Sequence, residues 1–106
     1  VQEIVLKDRL AMSSDGVFMV VATIDKKTGK LVTSPDIISR GFIYVKDNAE
    51  ILNNSRKIVK NIFAGKAPGL PANSPVVKAR MRDELGNYLF KITKRNPIVL
   101  PVVIEV

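Results

Sequence analysis

The side chains that most often do chemistry near neutral pH are missing, because the 106-residue chain has neither Cys nor His. Their absence removes the thiolate nucleophile, the disulfide framework, the commonest metal ligand and the commonest general base. Ser39 has no imidazole to activate it. Asp15, Asp25 and Asp47 occupy turn or cap positions, and Asp83 and Glu84 are neighbours that diverge on a helix. Thr28-Gly29-Lys30 lacks the preceding glycine of a phosphate loop and fits a hairpin better. No catalytic residue, metal ligand or cofactor is therefore expected in this chain by itself.

What remains is cationic. The net charge is +7. Residues 1–53 carry seven basic and seven acidic side chains, whereas residues 54–106 carry ten basic and three acidic. A basic surface of this kind attracts phosphate polymers through counterion release. It is equally a solvated face, or one that meets an acidic neighbour. Arg40, between Ser39 and Gly41, is a candidate phosphate or RNA contact, with an ion pair to Asp36 as its structural alternative. Lys94 and Arg95 are candidate RNA contacts at a helix C-terminus, where cations are favoured in any case. Phe42 and Tyr44 have the rings to stack bases, although core packing is their default.

The elements that must position these residues follow from periodicity and breakers. Val1 to Leu10 reads as a short strand or entry segment, and Ser13-Ser14-Asp15-Gly16 as a turn with Gly16 able to take positive φ. Val17 to Asp25 is nearly continuous apolar, β-branched sequence, which predicts a central strand covered on both faces or nearly so. Asp25 to Gly29 reads as a hairpin loop with Gly29 left-handed, and Lys30 to Ser34 as the returning antiparallel strand. Pro35 marks a strand break or an edge. Asp36 to Arg40 forms a connection, with a further extended stretch at Ile37-Ile38, and Phe42 to Val45 reads as strand again.

Asp47 and Glu50 have the spacing of a helix cap, and a helix is expected from about Asn48 to Ala64. Its apolar stripe is Ile51, Leu52, Ile58, Val59, Ile62 and Phe63, with Arg56, Lys57 and Lys60 off it. A Gly- and Pro-containing loop from Gly65 to Asn73 leads to Ser74-Pro75, an N-cap with Pro at the first helical position. The second helix shows its apolar face at Val77, Met81, Leu85, Tyr88, Leu89 and Ile92. Gly86 either permits close packing or is a tolerated weakness. Ile98 to Val106 is the last strand, and Pro101 within it argues for an edge or a bulge. The fold class expected is α+β: a small, mostly antiparallel sheet of three to four strands with two helices on one face, in the order β-β-α-α-β. One domain accounts for the length. No apolar run reaches the roughly 20 residues of a membrane span, and no signal peptide is visible. The chain opens on Val1 and reads as a piece of a longer protein.

Several blocks, in order, resemble the C-terminal domain of the ribonuclease J family, within the metallo-β-lactamase/β-CASP ribonucleases. They are Ile4 to Arg9, Ser13 to Gly16, Ser34 to Tyr44, Thr93-Lys94-Arg95, and Pro97 through Leu100-Pro101 to Val106. The resemblance covers nearly the whole chain, and the Gly65 to Asn73 loop departs from it most. It implies a cytoplasmic parent that degrades and processes RNA from 5′ ends and internally. The parent's zinc ligands and catalytic residues would lie upstream, in the β-lactamase and β-CASP domains. This chain would be the appended, non-catalytic domain that supports subunit assembly and activity. Its partners would be those upstream domains and a homodimer partner, with RNA reached through the parent and no membrane involved. Leu100, Val102 and Ile104 of the apolar last strand are the candidate interface residues. The alternative is an RNA-binding module that uses the basic second half.

Overall fold

The run VFMVVATI from Val17 to Ile24 forms strand β1, and its alternate residues are fully buried. Phe18, Val20, Ala22 and Ile24 point into the core, whereas Val17, Met19, Val21 and Thr23 are only half-buried on the opposite face. The expectation of a strand covered on both faces, or nearly so, is met on one face and in part on the other. The computed structural model describes residues 15–42, 48–67 and 69–106. The strands expected over residues 1–10 and 43–45, and the cap expected at Asp47, lie outside the described residues.

β1 leaves through a tight loop whose polar groups are satisfied locally. The Asp25 carboxylate Oδ1 accepts from the backbone N–H of Lys27 at 2.7 Å and of Thr28 at 3.3 Å. Gly29 takes the left-handed φ of 71° expected of it. The chain does turn back, but the returning segment is not the predicted strand at Lys30 to Ser34. Leu31 makes an isolated antiparallel bridge to Ile24, and the Val32 N–H donates to the Thr23 carbonyl at 2.9 Å. Strand β2 instead runs from Asp36 to Arg40, immediately after a buried Pro35. The physical reason is that Pro35 cannot donate to a ladder, so it separates the loop from the strand. Pairing with β1 resumes beyond it, from Val21↔Asp36 to Val17↔Arg40.

Helix α1 spans Ala49–Ala64 and buries Leu52, Ser55, Val59, Ile62 and Phe63. The buried Ser55 hydroxyl donates to the Ile51 carbonyl at 2.8 Å, so no polar group is stranded there. Arg56, expected on the solvent side, is half-buried, and its Nε donates to the Pro35 carbonyl at 3.1 Å. Helix α2 spans Pro75–Thr93 and starts as expected, with Ser74 Oγ accepting from the Val76 N–H at 3.0 Å. Val77, Met81, Leu85 and Leu89 are its buried row, while Ile92 is exposed. The row advances by four residues each turn, and Ile92 falls outside it. Asn54 Nδ2 donates to the Tyr88 hydroxyl at 3.0 Å and ties the helices together as an antiparallel pair.

Strand β3, Ile98–Glu105, pairs with β1 along its full length. The sheet order is β2-β1-β3, with β1/β2 antiparallel and β1/β3 parallel. The sheet is therefore mixed rather than mostly antiparallel. Its direction follows from the helix pair. α1 leads away from the end where β2 finishes and α2 returns to it, so β3 starts beside the start of β1. Two contacts mark that return: Asn96 N–H donates to Asp15 Oδ2 at 2.8 Å, and Ile98 N–H to the Gly16 carbonyl at 2.9 Å. Among the described residues β3 is an edge strand, which accommodates Pro101. Phe42 is not in a strand. It is buried and meets Phe18 edge-on, with ring centroids 6.0 Å apart.

Candidate functional site

Strand alternation and the ladder registers sort the sheet into two faces. Paired residues point to the same side, so Phe18, Val20 and Ala22 share the core face with Ile37, Val99 and Val103. The other face carries Val17, Met19 and Val21 from β1, Ile38 from β2, and Ile98, Leu100, Val102 and Ile104 from β3. Neither of the two described helices packs there. Ile38 and Ile104 are 48% and 45% exposed, and the others are half-buried. Three strands of this length give a strip roughly 14 Å wide and 25 Å long, the scale of apolar patches that mark interaction sites. Leu100, Val102 and Ile104 all lie on this face, at every second position of one strand.

Arg40 closes one corner of the same face, opposite Val17. It makes no ion pair with Asp36. The two are four residues apart on an extended strand, about 13 Å, and the one ion pair among the described residues is Arg80–Glu84 at 3.0 Å. Lys94 and Arg95 both have structural roles at the end of α2. Lys94 is the left-handed C-cap with φ 62°, its N–H donating to the Phe90 carbonyl at 2.7 Å and its Nζ 5.7 Å from the Phe90 ring centre. Arg95 Nη1 lies 3.4 Å from the Phe42 carbonyl. Arg40 and Arg95 therefore approach the same end of the sheet, while buried Phe42 offers no ring to a base. Tyr44 lies outside the described residues.

A second feature lies at the other end of the sheet, where sequence reading placed no site. The loop after β1 stands away from α1 and leaves a cleft of about 870 Å³. Leu31, Phe63 and Ala64 contribute apolar walls, and Lys30, Lys60 and Lys66 line it. A contiguous cleft of about 500 Å³ shares Thr33, Ser34 and Lys60 and adds Arg56 and Lys57. Asp36 is the single carboxylate lining either cleft. Lys66 Nζ donates to the Leu70 carbonyl at 2.6 Å, and Arg56 is held by Pro35. Lys57 and Lys60 project from the exposed side of α1. The excess of positive charge after residue 53 was legible. Its convergence with Lys30 was not, because the loop and the helix are some thirty residues apart in sequence.

Among the described residues no three His, Cys, Asp or Glu side chains come together as a metal site. No described helix is long and apolar enough to cross a membrane.

Comparison with known proteins places these features in context. The family model for the ribonuclease J C-terminal domain matches residues 4–106. The chain is similar to a protein named ribonuclease J2 from Bacillus subtilis (strain 168), 37% identical over 103 residues and 97% of this chain. It is also similar to proteins named ribonuclease J 2 from Staphylococcus epidermidis, at 36%, and Staphylococcus aureus, at 35%, each over the whole chain. The chain spans only 19% of the length of each of these relatives.

Proposed function

The chain belongs to the ribonuclease J C-terminal domain family, and from that premise we propose that it is the appended, non-catalytic domain of a larger RNA-degrading and RNA-processing enzyme. In this reading residues 1–106 are one domain that supports subunit assembly. The metal-dependent nuclease domains, with their zinc, precede it in the parent. The observation that carries the reading is the sheet face on which neither described helix packs, where Leu100, Val102 and Ile104 extend an apolar strip begun by Met19 and Val21. Such a face gains free energy by meeting another surface, at roughly 25 cal/mol for each Å² removed from water. A second subunit is the occupant this reading names.

Light scattering across a concentration series tests it. The chain should show a concentration-dependent dimer, and Leu100→Lys or Val102→Lys should return it to monomer with its circular dichroism unchanged. A wild-type monomer at every concentration would overturn self-assembly through this face and leave the upstream domains as its only partner.

A further inference from the structure

The cationic cleft between the post-β1 loop and α1 has no part in the assembly reading. We infer that it is a binding groove for single-stranded RNA, with phosphates along its lysine rim and nucleosides against its apolar wall. The choice of RNA over other polynucleotides rests on the proposed function of the parent.

Three observations converge. Lys30 comes from the loop, Lys57 and Lys60 from α1, and Lys66 from the segment after it, so the rim is cationic on both sides. None of these four forms an ion pair among the described residues, and Asp36 is the single carboxylate lining the two clefts. A set of clustered cations without carboxylate partners costs self-repulsion that a bound polyanion relieves. The floor, meanwhile, is partly apolar. Leu31 and the 57% exposed Val32 line the larger cleft beside Thr28, Thr33 and Ser34, whereas Phe63 borders it as a buried ring. Cationic rims with a partly apolar floor match the alternation of phosphate and base along a single strand. A run of Asp and Glu alone would satisfy the rim and leave the apolar part of the floor without a partner. The two clefts are contiguous, so the groove follows a chain rather than enclosing one small anion. The groove also lies away from Lys94 and Arg95, whose side chains serve the end of α2.

The test is fluorescence anisotropy of a labelled oligouridylate of about 12 nucleotides, titrated with the whole chain between about 50 and 200 mM salt. Lys57→Gln/Lys60→Gln removes two charges from the groove, and Lys94→Gln/Arg95→Gln removes two elsewhere. Both pairs are solvent-exposed, and circular dichroism checks that each variant folds. The groove variant should bind about tenfold more weakly at low salt, with a log–log salt slope smaller by about 1.4, while the other pair changes affinity about twofold at most. Equal losses from both variants would overturn the groove in favour of net charge alone. A loss confined to Lys94→Gln/Arg95→Gln would move RNA to the end of α2. No wild-type binding at low salt would remove RNA binding from this domain, with the assembly reading still to be judged by its own mass measurement. Displacement by oligoglutamate as effective as by unlabelled RNA would assign the groove to an acidic protein and overturn the proposal.

Discussion

Gly16 lies against the backbone of Gly41 so closely that a β-carbon on Gly16 would fall 2.5 Å from the Gly41 carbonyl carbon and from the Arg40 oxygen. Both glycines have left-handed φ, 90° and 70°. Gly16 also accepts the N–H of Ile98 that opens β3. One close crossing thus fixes the start of β1, the exit of β2 and the start of β3. Gly16→Ala should destabilise the domain by about 3–5 kcal/mol, combining left-handed strain with a backbone clash. Gly41→Ala, whose β-carbon would meet only Gly16 Cα at 3.6 Å, should cost about 1–2 kcal/mol. Urea unfolding of the two variants checks the order.

Gly86 has the opposite character. A β-carbon there would meet no atom within 4 Å, apart from its immediate chain and helix surroundings. Close packing is therefore not its role, and the tolerated-weakness reading stands. Gly86→Ala should stabilise the domain by about 1 kcal/mol, raising Tm by about 4–8 °C. A scanning calorimetry trace measures it directly.

Ser74 caps α2 through its bond to the Val76 N–H. Ser74→Ala should lose about 1 kcal/mol without moving the core, because the side chain contributes little beyond that bond. Chemical denaturation gives the loss, and an unchanged m value confirms that the native surface is unaltered.

Val99 and Leu100 are adjacent on β3 and face opposite ways. Val99→Lys buries a charge without a partner and should destabilise by about 3–5 kcal/mol. Leu100→Lys should leave the monomer's folding intact and act on association. Running thermal melts and light scattering on both variants separates a core position from an interface position one residue away.

Much of the local structure was readable from residue type alone. The strand at Val17 to Ile24, the left-handed Gly29, the Ser74-Pro75 helix start and the stop of α1 at Gly65 each depend on a few neighbouring residues. Those local rules placed them correctly. The second strand was misplaced by several residues because Lys30 to Ser34 and Asp36 to Arg40 are both plausible partners for β1. Pro35 interrupts the ladder between them, and Arg56 donates to its carbonyl from a helix 21 residues away. The absence of His and Cys likewise settled, before any folding, that thiol and imidazole chemistry lie outside this chain.

The sheet's faces and directions were decided only in three dimensions. Alternation along β3 is visible in the sequence, but which parity faces the helices depends on its register with β1, Val17↔Ile98 through Ile24↔Glu105. A shift of one residue would have hidden Leu100, Val102 and Ile104 and exposed Val99 and Val103. The parallel pairing itself follows from two helices returning the chain to the end where β2 stopped. The cationic groove arises in the same way. Its lysines come from a loop and a helix that share no sequence neighbourhood, and only packing the loop beside α1 makes one rim of them. Sequence determines which side chains are available and the local geometry each can adopt. Long-range packing determines which of them share a surface, because that depends on contacts between residues far apart along the chain.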